Sequence, residues 1–308
     1  MAAGLGKTGA RAVRQTLVVA GIFLSLAVAC VRRSSAMPDE SAYRTAFVDV
    51  HGHLNVFPFV GGALSVSLPI TLRPIGYGPD GKSLYGFDGS LDQPRRGLLK
   101  IEFNPVRVTL VPGSEGFRMV NGFSVSPAQD GVVLSAQYKT ASSSSCGIFE
   151  LNTQGGTVRR VAENPSCEYR ESWVRLSLST NAKQLVAYRR GGLELIDMAD
   201  GTIRSIGEQY IAGAWSPNGR WLAVLEGEGQ NHTILLDAKS LVKNRVLGTS
   251  NVQWSPDSRF LLGSRGDGCT AEWASLVAID VQTGQESPIP SSHCKVDVNT
   301  TGWVNSAQ

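Results

Sequence analysis

One short pattern occurs twice in the chain, and this repeat constrains the fold more than any other feature. Trp215 begins "WSPNGRWLAVL" and Trp254 begins "WSPDSRFLLGS". Three diverged copies keep the order of apolar anchor, turn and apolar run, and they begin at Tyr77, Val125 and Leu178. The two well-preserved copies begin 39 residues apart. A unit of about that length cannot bury an apolar core alone, so the copies are expected to stack on one another.

The residue types within a unit predict four strands. An apolar strand ends at the anchor, and Pro79, Pro217 and Pro256 then preset φ for a turn whose Asn or Asp with Gly tolerates the left-handed conformation. The Leu-rich run that follows is apolar throughout, which predicts a strand buried on both faces. An apolar–acidic pair such as Ile196-Asp197 precedes a second turn and a last apolar stretch. Each unit is therefore predicted to be an antiparallel meander.

Four-stranded units of about 40 to 50 residues that stack radially form a β-propeller. Five copies leave strand-like segments at the start and the end of the repeat region, and we expect these to combine into a closing blade. The predicted fold class is all-β: a single propeller of four-stranded blades, with six blades expected and seven as the alternative. Trp215 and Trp254 are expected to pack between blades.

The segments "WSPNGRWLAV…TILLDAKS" and "WSPDSRFLLG…SLVAIDVQTG" resemble the repeats of TolB-type propellers, a WD-repeat-like family of envelope and periplasmic proteins. The same repeat builds the non-catalytic propellers of prolyl-oligopeptidase-type peptidases. The similarity covers roughly residues 72–292. It implies a scaffold and no reaction, because the chain has no Gly-x-Ser-x-Gly motif and no hydrolase domain after the repeats.

The N-terminal segment has the layout of a secretory signal peptide. Lys7, Arg11 and Arg14 precede an uncharged apolar run that ends at Cys30. "LAVAC" resembles the lipobox of bacterial lipoproteins, in which the Cys is lipidated and becomes the mature N-terminus, although Ala27 stands where that motif prefers Leu. We predict a signal peptide over 1–29, a lipid-anchored or flexible tether over 30–44 and the propeller over 45–308. Simple secretion and an uncleaved anchor are the alternatives.

The charge balance does not indicate a nucleic-acid partner. The chain has 29 Lys and Arg against 26 Asp and Glu. Three of the basic residues and no acidic residue lie in 1–29, so 26 of each remain after cleavage. The Arg doublets at 95–96, 159–160 and 189–190 are scattered and are expected to be solvated turn residues. The only expected membrane contact is through the N-terminal lipid or signal segment.

Four cysteines follow Cys30, and an even number in an exported chain predicts disulfides. Of the three connectivities we favour Cys146–Cys167 and Cys269–Cys294, since each pair would bracket the third strand of one blade. Free buried thiols are the alternative. His51 and His53 in "DVHGH" resemble the first metal motif of amidohydrolase-type barrels. They are weak candidates, because the βα alternation of such barrels is missing, and no metal or cofactor is expected.

The loops suggest where binding would occur. The segments 142–147, 227–232 and 265–273 are predicted to be longer hairpin loops at equivalent positions in three blades, and loops on a rigid scaffold commonly carry function. The leading hypothesis is an exported, lipid-anchored propeller, periplasmic or outer-membrane-associated, or else secreted. It would bind or scaffold another envelope protein, or else bind a glycan. The alternative is a propeller enzyme, a metal-dependent hydrolase or lyase with a central-channel site.

Overall fold

Each repeat unit forms one antiparallel sheet of four strands. The computed structural model describes residues 43–48, 53–58, 64–67, 72–78, 83–89, 94–103, 105–128, 130–164, 166–168, 172–227, 232–247, 250–255, 257–265, 275–288 and 304–305. Five sheets are built from consecutive strands. Their strands are β4 (Leu72–Tyr77), β5 (Ser83–Gly89), β6 (Pro94–Phe103) and β7 (Val106–Leu110); β8 (Phe117–Val125), β9 (Gly131–Lys139), β10 (Ser144–Asn152) and β11 (Val158–Asn164); β12 (Val174–Leu178), β13 (Gln184–Arg189), β14 (Gly192–Asp197) and β15 (Ile203–Gly207); β16 (Tyr210–Trp215), β17 (Trp221–Glu226), β18 (Thr233–Asp237) and β19 (Lys243–Leu247); and β20 (Ser250–Trp254), β21 (Phe260–Arg265), β22 (Ser275–Asp280) and β23 (Glu286–Pro288).

The predicted anchors coincide with strand ends in all five of these sheets. The first strand of each sheet ends at its anchor: Tyr77, Val125, Leu178, Trp215 or Trp254. The Leu-rich run that follows is the second strand, and β9 and β17 are buried over most of their length. The apolar–acidic pairs lie at or near the end of the third strand. The four-stranded meander predicted from the turn chemistry is therefore confirmed.

The apolar cores lie between sheets and not within one sheet. Along β17, Leu222 and Val224 pack towards the preceding sheet, whereas Ala223 packs towards the following sheet. This alternation follows from the two-residue period of a strand, which sends successive side chains to opposite faces. Each of the four clusters described here joins residues of two neighbouring sheets. Each sheet is therefore stabilised by its neighbours, as stacked repeats require.

The strand order defines a centre and a rim. First strands of successive sheets contact one another, from β4 to β8, β12, β16 and β20. The fourth strands are the other edges of the sheets, and β7, β15 and β19 are exposed along most of their length. This arrangement is a β-propeller, with first strands towards the centre and fourth strands at the rim.

A further sheet combines the two ends of the propeller segment. It has the order β24-β1-β2-β3, where β1 is Tyr43–Val48, β2 is His53–Pro58, β3 is Leu64–Ser67 and β24 is Val304–Asn305. Tyr43 lies opposite Asn305 and Arg44 opposite Val304. The side-chain packing of this sheet lies outside the described residues, whereas the other five sheets share described cores. The described packing therefore supports five blades, where six were expected and seven was the alternative.

The residues from Asp39 to Gln308 form one compact unit. Within the described ranges, no helix has the length and apolar composition required to cross a bilayer.

Candidate functional site

The meander divides the loops of each blade between two ends. The hairpins between second and third strands and the connections between blades lie at one end, which we call the loop end; its described parts include 140–143, 190–191, 166–168 and 208–209. The turns between first and second strands, and between third and fourth strands, lie at the opposite end, which we call the turn end. The repeated Trp-Ser-Pro pattern belongs to the turn end.

Serine and Asn or Asp side chains build the first turn at the turn end. Ser216 Oγ donates to Asn218 Oδ1 over 2.8 Å and accepts from the Trp221 N–H over 2.9 Å. The same bonds join Ser179 and Asn181 in the copy without Pro or Gly, and Ser255 and Asp257 in the last copy. The turn was predicted from its Pro and from its Asn or Asp with Gly, but not from the Ser that these three copies share. Pro217 is exposed, and Pro79 and Pro256 lie outside the described residues.

The tryptophans of the pattern lie between blades. Trp215 is 8% exposed and packs among residues of β13 and β14 of the preceding blade. Trp254 is also 8% exposed, and its Nε1–H donates to the Ala214 carbonyl of the preceding blade over 2.9 Å. Tyr77 ends β4, but its side chain lies outside the described residues. Both tryptophans are thus buried between neighbouring blades.

A second turn joins the third and fourth strands. Asp237 Oδ1 accepts from the backbone N–H groups of Lys239 and Ser240 and from the Ser240 hydroxyl. These bonds, above all those from Ser240, lower the pKa of Asp237. In the blade of β8–β11 the corresponding acceptor is Asn152, and Glu150 instead forms an exposed ion pair with Arg159 at 2.6 Å. The acidic member of the predicted pair therefore makes the turn in some copies only.

The connection from β11 to β12 at the loop end is fastened to two blades. Cys167 in this connection forms a disulfide with Cys146 of β10, with 5.4 Å between the Cα atoms. This predicted disulfide is present. We expected the two cysteines to lie on either side of the third strand, but they lie on either side of the fourth strand, β11. At the other end of the connection, the buried Trp173 donates its Nε1–H to Glu194 Oε2 over 2.6 Å. Glu194 Oε1 accepts from Arg189 over 2.8 Å, and the Arg189 guanidinium lies over the Trp173 ring.

The predicted loops are only partly as expected. The predicted bounds of loop 227–232 agree with the structure, in which β17 ends at Glu226 and β18 begins at Thr233. The expected loop 142–147 is shorter, because β10 already begins at Ser144. Thr140 and Ser143 close that hairpin by a backbone bond of 2.8 Å and by their hydroxyls, and the whole hairpin is exposed. Most of 265–273 lies outside the described residues.

Arginine is the charged residue type of the first strands. Arg73 lies on β4, Arg118 on β8 and Arg175 on β12, and β16 and β20 have no charged residue. Arg175 is exposed and has a left-handed backbone, with φ 53°, at a register shift of β12 against β13. Its Nη1 donates to the Ile211 carbonyl of the next blade over 3.3 Å. Arg175 is the second residue of β12, which begins at the loop end, so its guanidinium contacts the next blade near the loop end.

The remaining candidates are not brought into a site by the described residues. His51, Cys269, Cys294 and Cys30 lie outside them, and of His53 only the backbone pairing with Ser67 is described. Within the described residues, no group of three or more His, Cys, Asp or Glu side chains is arranged to hold a metal.

Comparison with solved structures finds TolB proteins among those whose fold is similar to that of this chain. TolB from Acinetobacter baumannii matches with a TM-score of 0.57 at 14% identity, over 88% of this chain and 67% of that chain. A protein of unknown function from Desulfotomaculum acetoxidans matches with a TM-score of 0.52 at 14% identity, over 80% and 78%. A protein assigned as a TolB from Agrobacterium tumefaciens matches with a TM-score of 0.50 at 16% identity, over 74% and 84%. No protein-family model matches the chain, and no curated protein sequence does. At this level of identity the comparisons establish the fold alone.

Proposed function

We propose that this protein is an exported β-propeller that binds a protein partner of the cell envelope at its loop end. The observation that carries the proposal is the composition of the first strands. Their charged residues are Arg73, Arg118 and Arg175, and none of β4, β8, β12, β16 and β20 contains Asp, Glu, His or Cys. Guanidinium groups bind carboxylates through paired hydrogen bonds, so the favoured ligand is an acidic segment of a partner. An acidic glycan would offer the same carboxylates and is the alternative ligand.

The loop end supports this proposal by its rigidity. The connection that contains Cys167 and Trp173 is bonded to β10 on one side and to β14 on the other. A surface that is already ordered loses little conformational entropy on binding. The enzyme alternative would need carboxylates or His on the inner strands to hold a metal or to move protons, and the inner strands provide arginines instead.

Export and anchoring belong to the same proposal. The signal peptide over 1–29, the lipid on Cys30 and the tether over 30–44 would hold the propeller at a membrane of the envelope, periplasmic or outer-membrane-associated. This part of the proposal is supported by the basic start, the apolar run and the "LAVAC" motif of the N-terminal segment. Mass analysis of the mature N-terminus tests it: a diacylglyceryl Cys30 agrees with the proposal, whereas an unmodified chain that begins at another residue contradicts lipidation.

The ring closure is proposed in the same way. We infer that the sheet of β24 and β1–β3 joins the two ends of the propeller segment, with one strand from the C-terminal side and three strands from the N-terminal side. The pairing of β24 with β1 and the contact of β1 with β4 support this arrangement.

An affinity capture from envelope extracts tests the binding function. The bait is the full chain, compared with Arg175→Gln and with Arg204→Gln, a matched change of an exposed arginine on the outer strand β15. Recovery of a stoichiometric partner by the parent and by Arg204→Gln, but not by Arg175→Gln, supports the proposal. A tightly held metal without a partner on the purified chain would favour the enzyme alternative.

A further inference from the structure

The outer strand β7 differs from the other outer strands in its regularity. It pairs with β6 without a register shift, from Leu99 opposite Leu110 to Phe103 opposite Val106. By contrast, the pairings of β11, β15 and β19 each contain a shift, and β23 has only three residues and includes Pro288. Bulges, shortness, proline and charged side chains are the usual protections of a sheet edge. Among the outer strands whose side chains are described, β7 has no bulge and no proline over its five residues, and its one charged residue is Arg107.

The hydrogen-bond pattern shows which backbone groups of β7 are directed away from the sheet. The Val111 N–H donates to the Leu98 carbonyl, and the register continues from this pair without interruption. In an antiparallel ladder the bonded pairs alternate. The backbone groups of Arg107 and Thr109 are therefore directed towards β6, whereas those of Val106, Val108 and Leu110 are directed outwards, at the edge where no strand of the described ranges follows.

The side chains of these three residues form an apolar row along the edge. Val106 is 40% exposed and Leu110 is 44% exposed, and Val108 between them is half-buried. Arg107 and Lys100 lie on the other face of the β6–β7 hairpin. The Lys100 ammonium lies 3.3 Å from a carboxylate oxygen of Glu102 on the same face. This face has one more basic than acidic residue. The edge thus presents main-chain partners, an apolar face and a basic face together.

We infer that β7 is a docking edge for an extended segment of a partner protein, which adds a fifth strand to this blade. The segment alternates apolar residues, which cover Val106, Val108 and Leu110, with acidic residues that face Arg107 and Lys100. Main-chain bonds supply affinity in this mode and the alternate side chains supply specificity. The surface is separate from the arginines of the first strands, so the inference does not depend on the proposed loop-end function.

A second copy of this chain fits the edge less well than an extended segment. A strand of five residues is about 17 Å long, whereas stable protein interfaces bury about 1,200–2,000 Å². Two such strands alone fall short of that area. The basic excess also favours an acidic segment over a further copy of the same basic face.

The test uses a synthetic probe and the full chain. The probe is the fluorescently labelled, blocked peptide Thr-Val-Glu-Val-Glu-Val-Thr, whose Val residues pair with the three outward residues of β7. One comparison peptide has Lys in place of both Glu residues, and another is N-methylated at the three Val residues and so cannot donate to the edge. Binding is followed by fluorescence anisotropy at low ionic strength.

Two variants of the same residue separate the edge from the fold. Val108→Pro removes an N–H that is directed outwards, so the ladder with β6 keeps its bonds, whereas Val108→Thr keeps that N–H and nearly the same shape. We expect Val108→Pro to weaken binding at least about tenfold and Val108→Thr to change it by less than about threefold. Circular dichroism and the melting temperature report whether each variant is folded, and Val246→Pro on β19 is a matched proline at another rim strand.

The inference is supported if the Val–Glu peptide binds the parent, and if N-methylation, Lys substitution and Val108→Pro each weaken binding. It is overturned by absence of binding at millimolar peptide, by equal binding of the N-methylated peptide, or by a folded Val108→Pro variant that binds like the parent. Concentration-dependent dimerisation that Val108→Pro abolishes would also overturn it, in favour of a second copy. Arg175→Gln is expected to leave peptide binding unchanged, so the failure of this inference and that of the loop-end function remain distinguishable.

Discussion

The close approach of neighbouring blades at Gly201 leads to a quantitative prediction. Gly201 lies in the turn between β14 and β15, with φ +75°, and a Cβ at this position would lie 2.2 Å from the carbonyl oxygen of Val161 on the preceding blade. A contact below 3.0 Å with a backbone atom requires that one of the two blades move. We expect Gly201→Ala to be destabilising for two reasons, the left-handed backbone and the clash. The first costs about 1–2 kcal/mol, and the second about 1–3 kcal/mol, which is typical of overpacking.

Gly191 provides the matched control. It is also a glycine with a positive φ, +108°, but a Cβ there would meet no atom within 4 Å. Gly191→Ala therefore changes the backbone preference without touching another blade. Because its φ is at least as unfavourable for alanine, the difference between the two free energies of unfolding is a lower bound on the cost of the clash.

Denaturant unfolding of both variants and of the parent measures this difference. We expect Gly201→Ala to have a free energy of unfolding about 1–3 kcal/mol below that of Gly191→Ala, and a melting temperature lower by about 2–4 °C per kcal/mol for a domain of this size. Equal stability of the two variants would refute the reasoning, because the turn would then be free to move away from Val161 without cost.

Three further predictions concern turns and closure. Ala182 has φ 55° in the copy that lacks Gly, so Ala182→Gly is expected to raise the free energy of unfolding by about 0.5–1 kcal/mol in denaturant titration. Ser258→Gly should gain less stability, because it loses a hydroxyl that accepts from the Asn218 N–H over 2.9 Å. A loss of stability in Ala182→Gly would contradict the strain argument. The Ser240 bonds that lower the pKa of Asp237 contribute stability above the ordinary Asp pKa, and this contribution is lost as the pH falls through the lowered value. Ser240→Ala removes the hydroxyl bond and keeps the stronger backbone bond, so carboxyl NMR titration should show the pKa of Asp237 move part of the way up to its ordinary value. An unchanged pKa would count against a contribution of the hydroxyl. Deletion of 299–308 removes β24 and its pairing with β1, so calorimetry should show the whole domain destabilised in one transition, and a truncated chain that melts like the parent would disprove closure by the C-terminus.

The strand ends were predictable because the turn chemistry is local. Ser216 and Asn218 are bonded to each other and to the N–H groups of the residues that follow, so a few consecutive residues specify where the first strand ends and the second begins. The same holds for the copy at Leu178, where Ser179 and Asn181 remain although Pro and Gly are missing. The resemblance to TolB-type repeats therefore identified the correct fold from two well-preserved copies.

Features that depend on two blades were not predictable in this way. The glycine after Asp200 could be assigned to a turn from the sequence, but the approach of Val161 to Gly201 depends on how far apart two blades lie. The Cys146–Cys167 pair was predicted, but the strand that it spans follows from the exact ends of β10 and β11. The cluster of the buried Trp173 with the half-buried Glu194 and Arg189 joins residues that no repeat pattern relates.

The amino-acid order alone thus specifies the repeat, its turns and the four strands of each blade, because side chains within a few residues of each turn satisfy its backbone groups. Only the tertiary structure decides which strand edges are shielded and which are exposed. Two outer strands of similar composition, β7 and β19, differ in this respect because one pairs in continuous register and the other is bulged. Register is the sum of contacts along a whole sheet and across its neighbours, and no short segment contains that information.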